Sequence, residues 1–468
     1  MSGWASTKEL VHEEFRQSIE EGKDRSAVDA LRPLWTAAGD DETALAALHE
    51  QLLALPVRPD FPFTEPDDLA GIRALRETGP RLPSLVPGND ALLDKLHGAW
   101  LGRCAGCALG KPAESLFVDK PGAPASWLRQ KRYLTAISPD EWPLRDYFPE
   151  HSPAEAETGS LLWGSGSLRE RIAFMETDDD IRYTVLGQKI LREHGPGFCS
   201  SHVAGEWLAL GYRHFCTAET QAYRNFVLRC DGFRNPRDGT ALDASTDWSW
   251  VSRHLNPYRE WIGAQIRVDS YGYAAPGIPS LAAEFAWRDA RISHVKNGIY
   301  GAMLCAAMIA AAFATDDVRT IVDAGLAEIP RTSRLHAELR EVIALCDQHG
   351  CDFEKFEQVI AAVHALLGHY HPVHTNNNAA LCVMALLLSG GDFHRAITLA
   401  VMGGWDTDCN GATVGSIVGA ICGARQAPRH WTARLNDTLH SGVVGYDPIT
   451  ISECARRSLE ILRPAKSI

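Results

Sequence analysis

Gly98-Ala99-Trp100-Leu101-Gly102-Arg103-Cys104-Ala105-Gly106-Cys107-Ala108-Leu109-Gly110 carries glycine at every fourth position. A second stretch far along the chain, Gly411-Ala412-Thr413-Val414-Gly415-Ser416-Ile417-Val418-Gly419-Ala420-Ile421-Cys422-Gly423, repeats the spacing. Residues four apart lie on one face of a helix. In an exposed helix each glycine costs about 1 kcal/mol relative to alanine. Four on one face therefore call for close backbone packing, and we read two tightly packed core helices. Packed antiparallel, the end of the first meets the start of the second, which carries Glu114 towards Asp406 and Asp408.

Helical spacing recurs outward from these stripes, at 180–194, 200–212, 280–290, 298–314, 316–328, 333–348, 353–368, 377–389, 393–402 and 450–462. Alternating β-branched runs of strand length are nearly absent, so the fold class is all-α. Residues 1–54 show helical spacing in Leu10, Val11, Phe15 and Ile19, and again in Leu45, Leu48, Leu52 and Leu53. Pro56, Pro59, Pro62 and Pro66 then break the pattern. The expected organisation is a helical N-terminal extension and linker over 1–90 and a main domain over 91–468. An irregular insert rich in Pro, Trp, Tyr and Ser spans about 120–170 and is placed to cover a cleft.

Composition narrows the function classes. The 468 residues are 45% hydrophobic and 22% charged, which describes a globular chain with ample core. With 46 basic and 59 acidic side chains the formal charge is −13, which disfavours binding to nucleic-acid backbones or anionic membranes. The 12 cysteines are scattered, a pattern of reduced thiols and not of a disulfide framework. Cys104 and Cys107 form a CxxC inside the first glycine stripe, where small-residue packing explains them. The N-terminus lacks the features of a signal peptide, and the apolar run from Ile299 to Ala314 is too short to span a bilayer. A cytoplasmic protein is expected.

Two acidic clusters carry the chemistry. Thr177-Asp178-Asp179-Asp180 opens a periodic helix, where first-turn acids ordinarily cap N–H groups and complement the dipole. Asp406-Thr407-Asp408 follows Gly403-Gly404-Trp405 and lies between strongly apolar segments. Aspartates in such surroundings are costly unless paired, protonated or bound to a cation. The Asp-x-Asp-x-Asn-Gly order also opens a calcium-binding EF-hand loop, but Ile417 stands where that loop needs a bidentate glutamate. Together the two clusters form a candidate site for one or two hard divalent cations, with oxygen ligands favouring Mg²⁺ or Mn²⁺ over Zn²⁺.

These segments resemble the ADP-ribosylglycohydrolase family. Its Gly-x-x-x-Gly-Asp-Ala-Leu-Gly-x-x-x-Glu motif is similar to Gly102 through Glu114, its Thr-Asp-Asp to Thr177-Asp178-Asp179, and its Gly-Gly-Asp-Thr-Asp-Thr to Gly403 through Cys409. Asn297-Gly298-Ile299-Tyr300 gives a weaker match to an Asn-Gly-Ala-Ala segment. The resemblance covers about residues 94–425. It implies an orthogonal multi-helix bundle of that family's type and a centre of two Mg²⁺ ions, with Mn²⁺ as an alternative. Thr177, Asp178, Asp179, Asp406 and Asp408 would be the ligands, and Glu114, Asp179 and Asp406 the catalytic residues. The reaction would be hydrolysis of an N- or O-glycosidic bond to the ribose of an ADP-ribosyl or related small-molecule ribosyl compound. Cys409 and Cys107 depart from the family's Thr and Asp, and Asp180 stands where Thr is frequent. The long extension and the insert have no counterpart in the minimal fold, pointing to a divergent branch.

For substrate contacts we single out Asn297, Gly298 and Ile299 from the weaker motif, and Tyr271, which stands in a loop-like aromatic stretch and could stack on a ring. His374, Trp405 and Asn410 complete the set, with core packing and helix capping as the ordinary alternatives. His371 and His374 lack a third metal ligand nearby. Two other functions stay open: a nucleoside- or nucleotide-directed N-ribosidase, and a non-catalytic ADP-ribose-binding module whose centre is spoiled by Cys409 and Asp180.

Overall fold

The computed structural model describes residues 5–84, 88–116, 125–229 and 239–463. Cys230, residues 120–124 of the expected insert and both chain ends lie outside the described residues. Among those described, 24 α-helices and a single two-stranded antiparallel pair, Thr438–Leu439 with Ile449–Thr450, make the chain all-α. None of the described cysteines is disulfide-bonded. No described helix is long and apolar enough to cross a membrane.

The two glycine-striped helices, Asn89–Glu114 and Thr407–Cys422, form the most extensive helix–helix contact among the described residues. They run antiparallel in strict register. A methyl group on Gly98 would strike the carbonyl oxygen of Gly419, on Gly102 that of Gly415, and on Gly106 that of Gly411. At Gly110 the facing backbone belongs to Thr407, whose hydroxyl donates to the Gly110 carbonyl at 2.8 Å. Gly423 instead ends the second helix at φ 73°, ψ 166°, a backbone conformation that glycine takes without steric cost. Absent side chains thus let two backbones touch, and this contact fixes where each helix ends.

The helices Lys296–Ala312, Thr375–Ser389 and Phe393–Met402 surround this pair and are buried almost throughout. The helix Ile451–Ile461 packs on the outer side of Asn89–Glu114, where Ser458 accepts the indole N–H of Trp100 at 3.0 Å. Arg103 points from the first striped helix into the core. It donates to the backbone carbonyl of Asp180 at 2.8 Å and pairs with Asp269 at 2.9 Å. Buried charge is tolerable when paired and hydrogen-bonded, and this one pins the start of the helix Asp179–His194 to the striped pair.

The extension folds as the helices Thr7–Glu20, Arg25–Asp29, Arg32–Ala38 and Glu42–Ala54. Val11, Phe15, Val28, Leu45, Leu48 and Leu52 form a small core of their own. Buried ion pairs join it to the rest: Arg259 with Glu14 and Glu21, each at 2.6 Å, and Arg334 with Glu65 at 2.8 Å. The proline-rich stretch is therefore anchored, since its Glu65 is only 3% exposed.

Two expectations about local structure are corrected. The insert is not wholly irregular, because Ser126–Thr135 is a helix. Its buried Trp127, Gln130, Tyr133 and Leu134 are spaced for one helical face, a signal hidden among the neighbouring prolines. The stretch after Val268, read as a loop, opens with the short buried helix Asp269–Tyr273.

Candidate metal centre

The striped pair delivers Glu114 to Asp406 and Asp408, and one carboxylate oxygen from each of the three lies within 4.8 Å of the others. Each residue reaches this point for a local reason. Glu114 is the last residue of its helix. Asp406 is the N-cap of the other, reached through Gly404 (φ 80°) and Trp405 (φ 56°). A bulky residue in the left-handed region is strained. The turn is held by Ser126, which accepts the Trp405 N–H at 3.0 Å, and by Asn378, which accepts the Asp406 N–H at 3.1 Å.

The three acids face a cleft of about 750 Å³ whose walls include Asp179, Trp163, Glu219, Trp261, His371 and Arg16. Trp261 and His371 stack with ring centroids 4.1 Å apart. Trp163, from the insert, donates its indole N–H to Glu114 at 2.9 Å, so the insert does reach the cleft. Arg16 comes from the extension and donates to the His369 carbonyl at 2.9 Å.

Crowded acids in a confined wall resist ionisation. Burial, then the charges of Asp408, Asp178 and Asp179, holds the Glu114 carboxyl well above the usual range although it touches the cleft. Asp406 is raised well above by burial, then by Asp408 and Glu114. Asp408 is pushed up to about 7 by burial and by Asp178. Asp406 Oδ1 and Asp408 Oδ1 are buried and accept no hydrogen bond. Carboxylate oxygens left bare in this way fit a hard cation, and Glu114, Asp406 and Asp408 would hold it.

The first acidic cluster is engaged differently. Asp178 Oδ1 caps the helix by accepting the Asp180 N–H at 3.0 Å, and its Oδ2 lies 3.0 Å from Lys111 Nζ. Burial raises the Asp178 carboxyl, but Lys111 more than reverses it and leaves it below the usual range. Thr177 is exposed, and its hydroxyl accepts from Arg182 at 3.0 Å. Asp179 lines the cleft, where burial and then Asp178 raise its carboxyl. Asp180 is fully buried between Arg103 and the Cys409 thiol, which donates to its Oδ2 at 3.3 Å, and one of its oxygens lies within 4.8 Å of Asp408.

The expected substrate contacts lie elsewhere. Tyr271 is fully buried, donates to Asp289 at 2.7 Å and stacks on Phe198. Asn297 donates to Glu65 at 2.9 Å and Glu260 at 2.8 Å, tying the linker to the core. Gly298 abuts Arg259 and His294, and Ile299 lines a separate cavity beside Asp67 and Trp248. His374 is fully buried, caps the helix Thr375–Ser389 and stacks on Tyr370. Trp405 stacks on His364 with centroids 4.0 Å apart. Asn410 donates to Asn378 at 2.9 Å, helping to order the Asp406 turn. None of these seven lines the acidic cleft. The polar ones serve as buried hydrogen-bond partners, as interior polar groups must.

Lys111, Trp163, Glu219, Trp261 and Arg16 are among the cleft and centre residues that sequence reasoning missed. Only Trp163 carried a signal, through the aromatic insert. Arg16 arrives by the docking of the extension, which no local pattern encodes.

The fold is thus a helical bundle that gathers carboxylates from distant segments at one cleft. The profile described as ADP-ribosylglycohydrolase matches residues 88–460, and the chain belongs to that family of glycosidic hydrolases. No curated protein matches the chain. Among solved structures, one described as an "ADP-ribosylglycohydrolase-related protein complex" is similar at 18% identity and a TM-score of 0.46, covering 80% of this chain and 98% of that one.

Proposed function

We propose that this protein is a metal-dependent hydrolase that cleaves an N- or O-glycosidic bond to the ribose of an ADP-ribosyl or related ribosyl compound. The observation that carries the reading is the pair of bare, buried oxygens on Asp406 and Asp408 beside Glu114 in the cleft wall. Family membership supports the glycosidic chemistry.

Glu114, Asp406 and Asp408 would hold a divalent cation of the Mg²⁺ or Mn²⁺ kind, which polarises ribose oxygens and lowers the pKa of a bound water. A Glu114 oxygen that does not touch the ion is placed to exchange a proton with the water or the leaving group. Trp163 orients Glu114 through its indole N–H. Asp179, at the cleft, adds negative charge where positive charge develops on the ribosyl carbon in the transition state. The stacked Trp261 and His371 offer a flat wall for a ring, and Arg16 a cation for a phosphate.

The test is hydrolysis of ADP-ribosylated and simpler ribosyl compounds with Mg²⁺ or Mn²⁺, by the native chain and by Asp406→Asn and Asp179→Asn. Turnover by the native chain and its loss in both folded variants is the expected result. Full activity in both variants overturns the site assignment. Release of free ribose instead of ADP-ribose identifies a small-molecule ribosidase, and tight ADP-ribose binding without turnover a binding module.

A further inference from the structure

We propose that Lys111 replaces one of the two cations of the family-type centre, so that this chain binds a single divalent ion. The inference rests on the metal-dependent reading above and specifies it. Lys111 Nζ lies 3.0 Å from Asp178 Oδ2, donates to the Thr177 carbonyl at 2.6 Å and sits 3.9 Å from Glu176. Its side chain is only 12% exposed. Gly164 of the insert lies directly on its aliphatic stem, where even a methyl group would crowd it. The stem is therefore covered, and the ammonium is in contact with the residues that would ligate a second ion.

Those residues have few oxygens left to give. One Asp178 oxygen caps the helix and the other meets Lys111. The Thr177 hydroxyl is taken by Arg182. Cys409 offers a soft thiol in place of a hard hydroxyl, and that thiol is committed to Asp180. A divalent ion binding here would have to displace the ammonium or share its space against like-charge repulsion. The other half of the centre differs: Asp406 Oδ1 and Asp408 Oδ1, on residues each 4% exposed, accept no hydrogen bond and face no cationic side chain comparable to Lys111 among the described residues. The protein thus supplies one positive charge covalently and leaves one place open.

Lys111 and Glu114 lie three residues apart in the last turn of the same helix, so the fixed charge and the open place are held by one rigid element. Lys111 is in this view a positioning residue: it neutralises Asp178 and leaves Asp406, Asp408 and Glu114 to hold the single ion.

The experiment counts ions. Full-length protein is stripped with chelator and equilibrated with Mn²⁺; bound metal per chain is measured by elemental analysis, and its electron paramagnetic resonance spectrum recorded. One ion per chain with the spectrum of an isolated Mn²⁺ is expected. Two ions per chain with an exchange-coupled spectrum, as for ions about 3.5–4 Å apart, overturn the inference and leave the proposed function standing. No bound ion overturns both. Lys111→Met is expected to raise the count to two, and an unchanged count in that folded variant contradicts the role of Lys111. Asp178→Asn is expected to keep the single ion and Asp408→Asn to lose it. Loss of the ion in a folded Asp178→Asn chain also overturns the inference.

Discussion

Replacing Gly106 by alanine tests the central packing directly, because general helix chemistry and this structure give opposite signs. In a helix with free space, glycine to alanine stabilises by about 1 kcal/mol. At Gly106 the added methyl meets the Gly411 carbonyl group, which is backbone and cannot rotate away. Forcing a methyl into a packed interior costs about 1–3 kcal/mol, and the upper end applies where both walls are main chain. The net expectation is destabilisation by about 2 kcal/mol. Gly205, within the helix Ser200–Leu210, has nothing within 4 Å of the corresponding position, and its replacement should stabilise by up to about 1 kcal/mol. Urea unfolding followed by tryptophan fluorescence compares the two. Separating the striped helices also moves Glu114 from Asp406 and Asp408, so Gly106→Ala should weaken Mn²⁺ binding and Gly205→Ala should not. A Gly106→Ala chain as stable as the native one would refute the backbone-to-backbone contact.

Acid should loosen the extension. Burial raises the Glu14 carboxyl, but Arg259 more than reverses this and holds it at about 2, against an ordinary 4.5. With a depressed folded pKa, the contribution is full above 4.5 and is lost as pH falls through 2, amounting to about 3 kcal/mol. Limited proteolysis with an acid-active protease across that window should show cleavage in the first 54 residues; unchanged protection counts against the pair. Glu14→Gln leaves Arg259 partly uncompensated and should cost about 3–5 kcal/mol in unfolding experiments at neutral pH. Trp163→Phe removes the donor to Glu114 and, on the proposed function, should lower kcat/KM about tenfold, the worth of one hydrogen bond to a charged group, with urea stability unchanged. Asn378→Ala leaves the Asp406 N–H and Asn410 unpaired and should cost about 1–3 kcal/mol, with a matching loss of Mn²⁺ affinity in titration calorimetry.

Spacing alone made the striped helices legible, since only a bare face explains four glycines in register, and from their pairing came the approach of Glu114 to Asp406 and Asp408. The acidic clusters were legible because charge stood among apolar neighbours. What escaped was long-range. Asn297 matched a motif, yet its side chain is claimed by Glu65 from the linker and by Glu260, and no local pattern announces such partners. Tyr271 sat in a sequence that reads as a loop, but its hydroxyl finds Asp289 in another helix and the ring goes inside. Lys111 stands between glycine and proline with nothing local to mark it, because only the folded chain shows which carboxylate it meets.

The clasp between the extension and the main body bears on how the gene can be cut. A fragment trimmed to the boundary of the family match, at residue 88, would part Arg259 from Glu14 and Glu21 and Arg334 from Glu65, leaving Arg259 without its counterions and Arg334 with Glu260 alone. It would also take Arg16 from the cleft wall. Homology marks where relatives begin; in this molecule, charge pairing sets the smallest piece worth expressing.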